Sequence, residues 1–190
     1  MDWKTRSLRS HLKGGGVLAY PTRAVYGLGC DPRSQRGLRR LLRLKQRPAH
    51  KGMIVVSDAL ARLQPFHMPL SSAEQARCLS RWPGGHTWLI PASRRVSGLL
   101  RGRARGLGAD RRPRVALRQD DYVAVQRLCH RLGMALVSTS ANRSGQRPLG
   151  TTRACQRLFG HQVRVLSGRT QRHARPSTIQ DLMTGKAVRG

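Results

Sequence analysis

Acidic side chains are scarce in this sequence: eight Asp and Glu stand against thirty-seven Lys and Arg, giving a formal net charge of +29. So few carboxylates argue against a metal cage built from them. Aromatic residues make up only 4% of the chain, which argues against a platform on which single-stranded nucleic acid stacks base by base. No apolar run approaches the roughly 18–20 residues of a membrane span. The opening "MDWKTRSLRSHLKGGG" is basic and then glycine-rich, and lacks the apolar centre of a secretory leader. Cys30, Cys78, Cys129 and Cys155 lie far apart with no CxxC, so a zinc site or disulfide framework is not expected. They read as buried, reduced thiols of a cytoplasmic protein. The seven histidines contain no HExxH, and neither a Walker GxxxxGK[ST] nor a GxSxG elbow occurs.

What the chain has in excess is arginine. A field of this sign attracts polyanions and steers them from a distance. Equally, arginine spread along the whole chain is what an Arg-rich composition leaves on solvated faces, with no nucleic acid involved. The densest stretch, "RGRARGLGADRRPR" (Arg101–Arg114), lacks periodicity and reads as a loop.

Neither a repeat nor a convincing linker divides the 190 residues, so one domain, 1–190, is expected. Strands are predicted at Gly16–Tyr20, Met53–Val56, His86–Ile90, Arg114–Arg118, Met134–Val137 and Val163–Leu166. Helices are predicted to open at Ser34 (with Leu38, Leu41, Leu42 and Leu44 on one side, ended by Pro48), at a Ser71–Glu74 capping box, at Asp120 or Asp121, and at Thr151 or Thr152. Strands interleaved with helices imply an α/β fold around a largely buried sheet, with ligands at strand ends.

Four polar clusters could carry chemistry. "AYPTRAVYGLGCD" (Ala19–Asp31) pairs a Pro-Thr turn with a glycine-spaced loop, which suits either close approach of a ligand or a plain tight turn. "LKQRP" followed by Lys51 sets three cations at a helix end, fit for a triphosphate or for the helix dipole itself. "RWPGGHTW" delivers Thr87 at a strand start, its tryptophans reading as core. "LVSTSAN" ends a strand in Ser138, Thr139, Ser140 and Asn142, a hydrogen-bonding surface for phosphate, ribose or an amino acid, or else an elaborate Ser/Thr turn.

In order and spacing, these segments and the later "VALRQDD" and "RPSTIQDLMTGKAVRG" resemble the YrdC (TsaC) family, the threonylcarbamoyl-AMP synthases, over nearly the whole chain. The resemblance implies a single-domain twisted mixed sheet with flanking helices and a positively charged concave cavity. It implies synthesis of threonylcarbamoyl-adenylate and pyrophosphate from L-threonine, bicarbonate and ATP, with Mg²⁺ accompanying the ATP. A partner complex would then transfer the threonylcarbamoyl group to tRNA. By position, Lys45, Arg47, Ser140 and Asn142 match the family's signature group around the nucleotide phosphates. Lys51, Thr87 and Arg189 match further ATP contacts. Thr22, Tyr26, Arg118, Ser138 and Ser177 match threonine contacts, with Arg118 taking the carboxylate.

Arg23 departs from the pattern, standing where the family usually carries an acid after Pro-Thr. That departure and the Arg-rich stretch motivate an alternative: an RNA-binding protein on the same fold whose synthesis is weak or lost. A carbamoyl-transfer domain acting on another acceptor is a third reading, disfavoured because the partner domains of such enzymes are missing.

Overall fold

The computed structural model describes residues 2–101, 112–171, 174 and 177–189. Residues 102–111 of the Arg-rich stretch lie outside the described residues, as does the side chain of Arg189. The elements run α1 (Trp3–Lys13), β1 (Leu18–Pro21), β2 (Tyr26–Gly29), α2 (Gln35–Lys45), β3 (Ile54–Ser57), α3 (Ser72–Leu79), β4 (His86–Pro91) and β5 (Arg114–Gln119). Then follow α4 (Val123–Leu132), β6 (Leu136–Ser140), α5 (Thr152–Phe159), β7 (Arg164–Val165), β8 (Thr178–Asp181) and β9 (Ala187–Arg189). The nine strands among the described residues join one mixed sheet in the order β7-β1-β2-β6-β3-β5-β4-β8-β9. Pairing is parallel between β1 and β7, β3 and β5, and β4 and β8, and antiparallel elsewhere.

Alternation along the strands feeds two cores. On one face Ala19, Leu28, Val55, Leu117 and Val137 pack with Leu38 and Leu41 of α2 and with Cys155 and Phe159 of α5. On the other, Leu18, Tyr20, Val56 and Leu136 pack with Leu12 of α1 and Val125, Cys129 and Leu132 of α4. A leucine fully withdrawn from water, such as Leu38 or Leu41, contributes about 1.5–3 kcal/mol. All four cysteines are buried and free. Burial pushes the thiols of Cys78 and Cys155 up to about 11 and that of Cys129 to about 12, so they sit there as inert thiols.

Local chemistry explains most element ends. Ser34, Ser71 and Thr151 cap α2, α3 and α5, and Ser71 with Glu74 forms the full reciprocal box. Three expectations are corrected. Tyr26–Gly29 is a strand and not a loop; its glycines answer close packing, since a Cβ on Gly29 would meet the Val137 carbonyl oxygen at 2.2 Å. Neither Asp120 nor Asp121 is the N-cap of α4; that position is Tyr122, whose N–H donates to Asp120 Oδ1 at 2.9 Å. Helix α2 stops at Lys45, short of Pro48, because Gln46 turns left-handed at φ 51°.

Candidate active site

The turn at Gln46 decides where two cations go. It leaves Lys45 inside and sends Arg47 back over its own loop, where Nη2 donates to the carbonyls of Lys51 (3.2 Å) and Gly52 (3.0 Å). Lys45 is only 2% exposed. Its ammonium donates to the Ser140 carbonyl, to the Asn142 carbonyl at 2.9 Å and to Asn142 Oδ1 at 3.0 Å. The Lys45 carbonyl in turn accepts from the Ser144 N–H at 2.7 Å, so the end of α2 and the end of β6 are laced together. Asn142 is fixed from both sides, its Nδ2 donating to the carbonyls of Arg143 and Gln146 and its Oδ1 accepting from Ser140 Oγ at 2.6 Å.

Among the described residues every partner of Lys45 is a neutral oxygen; no carboxylate pairs with it. Desolvation, and secondarily the nearby Arg47 charge, lower its pKa from 10.5 to about 8. A buried cation without a counter-ion is costly. The arrangement is therefore complementary to an anion arriving from outside, and the three cations of this corner suit phosphate.

Strand register gathers the other residues. Ser138 and Ser140 of β6 share a face with Ile54, which stands between Ser138 and Ala116 across three strands. Arg118, opposite Val56, lies on that same face, and so does Thr87, one residue before the Trp88–Leu117 pair. Helices α1 and α4 cover Val56 and Leu136 there, while Ile54, Ala116, Arg118 and Ser140 remain only partly buried. Thr22 reaches the same surface: a Cβ on Gly27 would meet Thr22 Cγ2 at 2.8 Å and Ser138 Oγ at 3.5 Å, so Gly27 is the floor between them. The Thr22 hydroxyl donates to the Val25 carbonyl at 2.6 Å, which leaves its lone pairs to accept. Thr87 is wholly buried, and its hydroxyl has no hydrogen-bond partner among the described residues.

Arg118 is oriented by Asp120, whose Oδ2 accepts from Nε at 2.8 Å and lies 2.6 Å from Nη2. Asp120 was read from sequence only as a candidate cap. Two residues apart at a strand end, Arg118 and Asp120 share a face, and that spacing is the signal that would have paired them. Ser177 directly precedes β8, whose Thr178 Oγ1 is 2.6 Å from His86 Nδ1, at the Thr87 end of the sheet. The backbone of Arg189 pairs with Ile179 at the sheet's far edge, and Lys51 is exposed beyond α2. Tyr26 does not join the cluster. It points into the opposite core, its hydroxyl 2.5 Å from Thr152 Oγ1 and donating to the Gly168 carbonyl at 2.9 Å.

Among the described residues no group of three or more His, Cys, Asp or Glu side chains is placed to hold a metal ion. No described helix is long and apolar enough to cross a membrane.

Comparison with known proteins places this geometry in context. The chain is 50% identical over 186 residues to the threonylcarbamoyl-AMP synthase of Methylobacillus flagellatus, covering 98% of this chain and 99% of that one. It is likewise 50% identical over 182 residues to the protein of that name from Thiobacillus denitrificans, covering 96% and 93%. Among solved structures, P. abyssi Sua5 complexed with L-threonine superposes with a TM-score of 0.78 at 25% identity. That match covers 94% of this chain and 51% of the Sua5 chain, about half its length. E. coli YciO shares the fold at a TM-score of 0.78 and 22% identity, covering 98% and 88%. The family model for Sua5, YciO and YrdC, described as telomere recombination, matches residues 10–189. This chain belongs to the Sua5/YciO/YrdC family.

Proposed function

We propose that the chain is a threonylcarbamoyl-AMP synthase, an enzyme that makes threonylcarbamoyl-adenylate and pyrophosphate from L-threonine, bicarbonate and ATP. The observation that carries this reading is half identity, end to end, with proteins of that name. It favours synthesis over the reading as an RNA binder that has lost the activity. The geometry supports the same division of labour. Lys45, with Arg47 and Lys51 beside it, takes the ATP phosphates; Ser140 and Asn142 fix the ammonium and the adjoining wall. Arg118, aimed by Asp120, takes the threonine carboxylate, while Thr22 and Ser138 flank the amino acid across Gly27. Tyr26 supports the turn from the opposite face. Thr87, on the same face of the sheet at the start of β4, stands near the nucleotide by its place in the family pattern.

The threonine amine attacks the carbon of bicarbonate, with loss of water, and a carbamate oxygen then attacks the α-phosphorus as pyrophosphate leaves. No side chain here is a dedicated nucleophile. Catalysis rests on holding the reactants together and neutralising phosphate charge. Mg²⁺ would enter with ATP as part of the substrate and would help neutralise the phosphate charge; the described residues offer no carboxylate cluster to hold it. The product would pass in the cytoplasm to a transferase complex that modifies tRNA. Pyrophosphate release from ATP by the purified chain, with each of threonine and bicarbonate omitted in turn, tests the reading: release should need both. Turnover indifferent to threonine would reject it.

A further inference from the structure

Arg23 stands next to Thr22 at the turn between β1 and β2 and reaches across to the start of α4. Its Nη2 lies 2.6 Å from Asp121 Oδ2, its guanidinium sits over the Tyr122 ring at 5.8 Å, and its Nη1 donates to Gln171 Oε1 at 3.3 Å. Its carbonyl accepts from the Gln171 N–H at 2.6 Å. Asp121 adjoins Asp120, the residue that aims Arg118. Two neighbouring carboxylates thus hold two arginines, one in the site and one beside Thr22. They tie the turn carrying Thr22 to the strand end carrying Arg118 across the shared face.

The segment 166–171 completes the tie. It is anchored at Leu166 (N–H to the Ala19 carbonyl, 2.8 Å), at Gly168 (carbonyl to the Tyr26 hydroxyl) and at Arg169 (carbonyl to the Tyr122 hydroxyl, 2.6 Å). Gly168 presses on the turn so closely that a Cβ there would meet Pro21 Cγ at 2.5 Å.

We propose that Arg23 and Asp121 form a clasp that sets the spacing between Thr22 and Arg118, and so the fit of the amino-acid substrate. The proposal rests on the synthase reading above. It makes Arg23 a positioning residue, which acts through Thr22 and touches no reacting atom. An acid at residue 23 would face Asp121 and open the clasp by repulsion. Both partners are more than one-third exposed, so the ion pair contributes little to global stability. Misplacing a substrate-gripping group, by contrast, is expensive in rate. The clasp should therefore be visible in threonine use and nearly silent in thermal unfolding.

The test is steady-state pyrophosphate release by the full chain, with ATP and bicarbonate saturating and threonine varied. Arg23→Glu and Asp121→Arg should each raise KM for threonine about tenfold or more, with a smaller change in kcat. The double exchange, R23E with D121R, should recover most of the loss. Arg23→Gln, which keeps the volume without the charge, should fall between and guards against misfolding of the charge reversals. Thermal midpoints should stay near wild type throughout. Wild-type KM in Arg23→Glu or Arg23→Gln, or a double variant as impaired as the worse single one, overturns the clasp while leaving the synthase standing. A wild-type chain that neither releases pyrophosphate nor binds threonine by calorimetry overturns the synthase reading, and the clasp with it.

Discussion

Two buried cations invite comparison. Arg114, 2% exposed, lies 2.9 Å from the fully buried Asp181, whose other oxygen accepts from the N–H groups of Met183 and Thr184. Lys45 is buried to the same degree, yet among the described residues its partners are carbonyl and amide oxygens. The first is a closed account of charge: it joins β5 to β8 and needs nothing further. The second carries a positive charge that no carboxylate among the described residues neutralises. Equal burial with unequal pairing separates a fastening of the fold from the cation that we propose meets the ATP phosphates.

The comparison can be broken most sharply at Lys45. Lys45→Met should lower the rate of pyrophosphate release by about 10²–10³-fold, the scale seen when one preorganised stabiliser of developing charge is removed. Because no carboxylate is stranded, unfolding by urea should register only a modest loss. Arg114→Met should behave in reverse. It leaves Asp181 buried and unpaired, which costs about 3–5 kcal/mol, while the rate per folded molecule stays near wild type. If Lys45→Met is the more destabilised of the two, the contrast between them is wrong.

Protonation sharpens the same contrast. The Lys45 pKa is lowered to about 8 from 10.5. Between those values the unfolded chain holds more protons than the folded one, so this residue's contribution raises stability as pH climbs from about 8 towards 10.5. Function runs the other way. KM for ATP should rise as pH passes about 8 and Lys45 loses its charge, an effect that titration of ATP affinity by calorimetry would show. The smallest effect belongs to a helix cap that contacts neither cation. Ser71→Ala removes the α3 capping box, should cost about 0.5–2 kcal/mol in unfolding, and should leave both kinetic parameters alone.

Much of this was legible beforehand where a single residue type has one strong reason for its place. The Ser71–Glu74 box, the helix with Leu38 and Leu41 on one side and the β6 run into hydroxyls are of that kind. Resemblance supplied the grouping of Lys45 with Asn142; no periodicity could have shown that an ammonium reaches back to a strand end. Helix α1 went unread because it is polar almost throughout, with only Thr5 and Leu12 buried. Strand β2 was hidden by its glycines, which are selected by what lies above them and not by turn geometry. The partners of Arg23 were beyond reach because they come from residues 121, 122 and 171, brought together only by the finished sheet.

One further consequence follows from the scarcity of acid. Each acidic residue among those described accepts a hydrogen bond or an ion pair: Asp2 and Glu74 at helix starts, Asp31 at a turn, Asp58 with Arg62, Asp120 with Arg118, Asp121 with Arg23, and Asp181 with Arg114. Surface carboxylates are ordinarily the most freely exchanged residues of a protein. Here neutralising a buried one, Asp120 or Asp181, removes a fastening and adds to an already large self-repulsion in the same stroke. In a chain this basic the usual tolerance should be inverted where the acid is buried, at Asp120 and Asp181: those two carboxylates are the rivets, and arginines on solvated faces that grip no acid are expendable.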